Sequence, residues 1–286
     1  MRKIFLIYLV MVLCCSSAIA NITVKQLEGK DIFRAYLPKM FFFGLSDDQI
    51  EEYQLQNLPI IGTHKEGESF LAVFHGVKEY QNSQGETRQV AIVEYLPLTD
   101  YNGDLDLFSG CHACSSDLSL LLFKPIKNGY QLLASYDYEA WGDWGRADLI
   151  SSLDEMRLVQ LGKNTMGLLY EDFSTGAGGT YESILNAILL RDDGVREVQV
   201  AFLGTGSGGM YPDDSPLAYG YEGTWEVDAS DLDREYYPIL IHYQGDDFEI
   251  DEQGNQNFID MNLSHMYEYN GSGDAYHLIK SFKILQ

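Results

Sequence analysis

Cys111-His112-Ala113-Cys114 is the stretch of this chain whose residue types and spacing could do redox chemistry. In an oxidising compartment, two thiols three positions apart close a small disulfide loop. A His between them can also make the first thiol acidic and reactive. Reactive pairs of that kind sit at a helix N-terminus beside a βαβ unit, whereas a strand-like run follows here. A structural disulfide between Cys111 and Cys114 is therefore the expectation, and thiol exchange the alternative. Haem attachment needs a His directly after the second cysteine, where Ser115 stands. A zinc ion would need a further ligand from afar, and adjacent Cys and His suit one tetrahedral ion badly.

Carboxylates offer a second chemistry. Asp100-Tyr-Asn102-Gly-Asp104-Leu-Asp106 sets oxygen side chains at alternate positions, Asp228, Asp231 and Asp233 do something similar, and Asp246 to Glu252 holds five carboxylates. Ca²⁺ takes about six to eight oxygens from loops of this kind. The candidate ligands are Asp100, Asn102, Asp104, Asp228, Asp231 and Asp233, and calcium is the one cofactor these spacings suggest. No run matches the full calcium loop: Leu105 stands where the first needs its turn glycine, and no closing Glu follows. Solvated loop charge is the plainer reading.

Flat aromatic faces are the third resource. Trp141-Gly-Asp-Trp144-Gly, with Trp225 and 20 tyrosines, could grip a sugar or a protein partner, although strands ordinarily bury such residues. Trp141 and Trp144, with Asp213 and Asp214 in the loop Met210 to Pro216, are the candidate binding residues. Neither a Gly-x-Ser-x-Gly elbow nor a His-Glu-x-x-His helix is present. A glycosidase's carboxylate pair would exist only in the fold. Gly204-Thr-Gly-Ser-Gly-Gly209 has the letters of a dinucleotide fingerprint, but two prolines follow in place of the helix that would hold a pyrophosphate.

The elements that must position these groups read as strands. Leu118 to Phe123, a turn at Asn128-Gly129, and Tyr130, Leu132 and Ala134 form a hairpin, with Pro125 closing its first run. Phe70 to Val77 and Gln89 to Leu96 flank Asn82-Ser83-Gln84-Gly85 and complete a first four-strand set. A second set has runs at 157–161, 166–173, 180–190 and 195–203, the last two joined by Asp192-Asp193-Gly194. A looser third set takes in 224–227, 237–243, 265–269 and 275–285. One helix is expected after Ser46, where Gln49 completes a capping box, with Ile50, Tyr53 and Leu58 on its apolar side. The run Met40-Phe41-Phe42-Phe43 is expected to be buried beneath it.

At the start, Arg2 and Lys3, the apolar run Ile4 to Leu13 and the small residues around Ala18 and Ala20 have the layout of an export leader covering residues 1–20. A lipid-anchored cysteine would need a small residue before it, and Leu13 precedes Cys14. The chain carries a formal net charge of −24, and the leader takes two positive charges with it. Such a field repels nucleic acid and anionic lipid and favours basic proteins or cations. No later apolar run is long enough to span a bilayer.

The reading is a mainly β, antiparallel protein with meanders in a propeller-like or sandwich arrangement. It has a small α-containing segment at 21–69 and a β domain at 70–286 of about three four-stranded sets. It is expected in the periplasm or outside the cell, as a non-catalytic inhibitor-like or immunity-like protein binding another macromolecule, such as a basic protein. A calcium-supported carbohydrate-binding protein or glycosidase is the first alternative, and a thiol oxidoreductase the second.

Overall fold

Side chains that alternate every second residue pair into long ladders here, and the ladders between the described strands are antiparallel. The computed structural model describes residues 22–37, 39–101, 104–107, 115–139, 147, 157–175, 179–212, 214–251, 253 and 256–283. The protein is mostly β. It divides into two compact units, Met1–Ile150 with Asp192–Val195, and Ser151–Arg191 with Arg196–Gln286.

The first unit holds β1 (Thr23–Val24), β2 (Met40–Phe41), β3 (Ile60–Lys65), β4 (Glu68–Gln81), β5 (Thr87–Tyr101), β6 (Asp104–Leu107), β7 (Asp117–Ile126) and β8 (Gly129–Glu139). They form one sheet in the order β1-β8-β7-β5-β4-β3-β2, with β6 also on β5. Both faces are covered, which is why the runs read as unbroken apolar sequence. Ala72, Phe74, Val93 and Leu121 pack under Ile32 and Phe33 of helix α1 (Gly29–Tyr36). On the opposite face Leu71, Val73, Leu96 and Leu98 meet Tyr53 and Leu55, which follow helix α2 (Asp47–Glu52).

The capping box at Ser46 forms as expected. Gln49 N donates to Ser46 Oγ (3.2 Å) and Ser46 N to Gln49 Oε1 (3.0 Å). The helix stops at Glu52, so Leu58 reaches the same cluster from the chain beyond it. Burial of the phenylalanine run is half correct. Phe41 and Phe43 pack against the core, but Phe42 is 90% exposed, because an extended segment turns alternate side chains outward. Helix α1 was not foreseen. Eight residues carry too little periodicity to declare a helix, and burial of Ile32 and Phe33 holds it in place. β7 continues through Pro125, because its pairing with β5 ends at Phe123 and the missing N–H faces no partner there.

The second unit holds β9 (Arg157–Gly162), β10 (Thr165–Thr175), β11 (Tyr181–Arg191), β12 (Gly194–Gly206), β13 (Gly220–Val227), β14 (Ile239–Ile250), β15 (Gln256–Asp260), β16 (Leu263–Glu268) and β17 (His277–Lys283). Their order is β17-β16-β14-β13-β12-β11-β10-β9, with β15 also on β14. The strands expected as a second and a third set thus run on in one ladder, joined where Gly204 to Gly206 of β12 pair with Gly220 to Glu222 of β13. Leu169, Leu185, Val200, Leu203, Ile239 and Ile241 lie in its core cluster. Among the described residues no helix is long and apolar enough to cross a membrane.

Several tyrosines are held as neutral phenols. Burial, followed by the charge of Asp137, pushes Tyr36 up to about 12, and burial followed by Asp247 does the same to Tyr221. A phenol with its folded pKa above the unfolded value near about 10 contributes stability that is whole below about pH 10 and lost as pH rises through the folded value. Stability should therefore fall between about pH 10 and 12, with a fraction of the phenolate absorbance appearing only as the far-ultraviolet dichroism is lost. Full tyrosine ionisation near pH 10 in a chain that keeps its native dichroism would contradict this.

Candidate functional site

Several of the residues singled out by sequence lie outside the described residues: the leader, Cys111, Cys114, Asn102, Trp141, Trp144 and Asp213. Asp100 lies on β5 and Asp104 on β6, two paired strands, with Asp100 opposite Leu105. Asp214 is exposed. Asp233 is paired with Lys163 Nζ (2.7 Å), Asp231 stands 3.8 Å from Arg234 Nε, and Asp228 Oδ1 accepts from Ser230 N (3.0 Å). A cation at that loop would have to displace two basic side chains. Among the described residues no group of three or more His, Cys, Asp or Glu is placed to hold a metal ion. Added calcium or a chelator should leave the melting temperature unchanged; a rise of several degrees with calcium would show a bound ion.

The run Asp246 to Glu252, expected as loop, enters a strand instead. β14 continues through Ile250, since Asp247, Phe248, Glu249 and Ile250 alternate polar and apolar. Its first part, 239–243, pairs with β16, and its last part, 246–250, pairs with β15. β13 stops opposite Asp246, so beyond that point β14 and β15 form a two-stranded arm. Phe248 stands opposite Phe258, and Ile250 falls on the same side two residues on. Asp247 and Glu249 take the other side. Ile250 is 67% exposed, Phe258 47% and Ile259 38%. At the base Asp246 and Asp260 oppose each other directly, a like-charge pair that disfavours the ladder. Between Tyr243 and Asn262 the sequence holds no Lys or Arg.

The first sheet has a matching arrangement, with 89–95 of β5 on β7 and 98–101 on β6. That arm is tied down: Leu105 and Leu107 pack into the core and Gln49 Nε2 donates to Asp106 Oδ1 (2.6 Å). The β14–β15 arm is the one that offers apolar surface.

At the foot of the arm a cavity of about 580 Å³ is lined by Tyr181, Tyr221, Glu222, His242 and Gln244 among others. Its shape comes from glycine. Gly206 pairs with Gly220, and a Cβ on Gly206 would stand 2.4 Å from the Tyr181 ring, so only bare backbone lets that ring lie against the sheet. Tyr181 stacks on Phe173 with ring centres 5.6 Å apart, and Tyr221 meets Tyr243 edge to face at 5.6 Å. The Gly204 to Gly209 run is thus strand end and turn, with no helix after it.

On the cavity wall His242 Nδ1 lies 2.7 Å from Ser264 Oγ, and Nε2 lies 3.7 Å from Glu226 Oε1. The three residues sit on neighbouring strands β16, β14 and β13. A nucleophile, base and acid would follow the same line, but 3.7 Å exceeds the hydrogen bond that orients a catalytic imidazole, and Ser264 is buried. The line fixes the histidine ring.

The first unit holds two polar clusters, one buried and one partly exposed. Glu94, wholly buried on central β5, takes His75 Nε2 at 2.8 Å, Ser116 Oγ at 2.7 Å and Ala147 N at 3.2 Å. His75 reaches it from a bulge between Phe74 and Gly76, where Gly76 adopts φ +101°. On the other face Asp137 Oδ1 accepts from Tyr36 Oη (3.0 Å) and Ser119 Oγ (2.5 Å), while Lys65 Nζ lies 3.4 Å from Oδ2. Asp137, Lys65 and Glu68 line a shallower cavity of about 420 Å³. None of these residues was singled out by sequence. A lone Glu inside Val90 to Leu96 is the signal that could have found the first cluster.

Set against known proteins, the chain matches no family model, no curated protein and no solved structure.

Proposed function

We propose that this is an exported, non-catalytic β protein that binds a basic protein through the β14–β15 arm, as an inhibitor or immunity-type protein would. The observation that carries the reading is the arm itself: exposed Ile250 and Phe258 on one side with Asp246 and Asp260, exposed Ile259 on the other with Asp247 and Glu249, and no cation in the segment. Apolar anchors ringed by one sign of charge suit a partner of the opposite sign, the charges setting encounter and the anchors holding the complex. Net charge and the leader-like first residues support the same reading. The test is capture from exported proteins at low and high salt, with the native chain and with a Phe258→Ser, Ile250→Ser variant side by side. The proposal expects a basic partner that is held at low salt, weakened at high salt and lost with the variant. A variant that captures as well as the native chain would refute the arm, and absence of any salt-sensitive partner would refute the function.

A further inference from the structure

We infer that the concave side of the first unit's sheet binds a saccharide at its mouth, with Lys65 and Asp137 gripping two adjacent hydroxyls of one sugar ring. The site goes beyond the arm reading and does not depend on it. Lys65 on β3 and Asp137 on β8 have β4, β5 and β7 between them, a span of roughly 19 Å in a flat sheet, yet Nζ and Oδ2 lie 3.4 Å apart. The sheet therefore curls, and the pair stands across its concave side. Lys65 opposes Glu68, Ala72 opposes Tyr95, Tyr95 opposes Asp117 and Ser119 opposes Asp137, so the period of two sets all of them on the face that carries helix α1.

Both groups are held in place. Asp137 Oδ1 accepts from Tyr36 Oη (3.0 Å) and Ser119 Oγ (2.5 Å), and Ser119 Oγ also lies 3.1 Å from Tyr95 Oη. Ser119 is 0% exposed and Tyr95 2%, so these hydroxyls cannot turn to solvent. Lys65 Nζ stands 4.9 Å over the Tyr95 ring, which fixes the ammonium in turn. With Oδ1 occupied, Oδ2 and Nζ are the pair presented at a cavity of about 420 Å³, within the about 300–1,000 Å³ of small-molecule sites. At 3.4 Å they fall short of the about 2.7–2.9 Å of a charge-assisted bond, so each keeps hydrogen-bonding capacity. A donor and an acceptor side by side are the complement of two adjacent hydroxyls, since each hydroxyl both donates and accepts. Charge disfavours the other ligand classes. Glu66, Glu68 and Asp117 join Asp137 around the cavity against one ammonium, so anions are repelled, while a cation drawn to Oδ2 meets Lys65 beside it. A neutral polyol satisfies both groups.

The experiment is saturation-transfer NMR titration of the full chain with the methyl glycosides of glucose, galactose, mannose and N-acetylglucosamine. Cyclohexanol and n-butylamine serve as the lone-hydroxyl and lone-cation controls. At least one glycoside is expected to bind roughly tenfold more tightly than either control. Lys65→Met keeps an unbranched stem over Tyr95 without the donor and should lose roughly tenfold of that affinity. Asp137→Asn should lose at least as much, and far-ultraviolet dichroism checks that each variant is folded. Lys65→Met leaves the buried hydroxyls and their carboxylate untouched, so it decides the matter even where Asp137→Asn disturbs the fold. No glycoside bound by the native chain, n-butylamine preferred to every glycoside, or glycoside affinity unchanged in Lys65→Met would each overturn the site. The Phe258→Ser, Ile250→Ser variant should bind the glycoside as the native chain does, so this site and capture through the arm fail separately.

Discussion

Replacing Glu94 by alanine is expected to cost about 3–5 kcal/mol of stability, because it removes one partner of a buried polar pair and leaves the other behind. The carboxyl group is 0% exposed and the His75 ring 5%. Val73 and Leu118, its neighbours across the ladder on either side, are themselves fully buried. With Glu94 gone, His75 Nε2, Ser116 Oγ and Ala147 N lose an acceptor in apolar surroundings, where water cannot replace it cheaply. A drop in melting temperature on the order of 10 °C would follow for the unit concerned. Glu94→Gln keeps the shape and one acceptor oxygen and should cost about half as much. Glu94→Leu with His75→Leu should be less damaging than the two single changes added together, since neither member of the pair is left without the other, although Ser116 Oγ and Ala147 N still lose their acceptor. Thermal and urea unfolding of the set decide it. A Glu94→Ala change within about 0.5 kcal/mol of native would mean the cluster contributes nothing.

Phe258→Ala is expected to weaken capture of the basic partner about thirtyfold, corresponding to a hot spot of about 2 kcal/mol. It should leave stability within about 0.5 kcal/mol, since the side chain is 47% exposed. Asp246→Asn separates the two contributions of the arm. By removing one of two facing carboxylates it should relieve the ladder while slowing association and flattening its salt dependence. Surface binding kinetics at several salt concentrations read both effects. Loss of affinity through slower association in Phe258→Ala, or through faster dissociation in Asp246→Asn, would mean the roles have been assigned the wrong way round.

How far the fold could be read in advance depended on alternation. The runs expected at 157–161, 166–173, 180–190 and 195–203 are β9 to β12 to within three residues at each end, because apolar residues recur and turns at Asp192-Asp193-Gly194 mark the joints. Asn82 also closes its turn as expected, accepting from Gln84 N and Glu86 N. Charge misled where alternation was still present. Asp246 to Ile250 reads as an acidic loop by composition and as a strand by period, and the period prevails, because ladder bonds satisfy the backbone whatever the outward side chains are. β3 and β6 are short and flanked by charge, so their pairing with β4 and β5 is set by register that no local pattern carries. The candidate site was less legible still. Tyr181 and Glu222 lie 41 positions apart and line one cavity only because β11, β12 and β13 are neighbours. The glycines at 206 and 220 were visible as letters, but a floor beneath a ring has no signature in one dimension.

Hydrogen exchange of the captured complex against the free chain tests the central claim most directly. The account predicts new protection of backbone amides within 246–260, with exchange across β9 to β11 unchanged. Protection concentrated elsewhere, with the arm exchanging as fast in the complex as in the free chain, would contradict it.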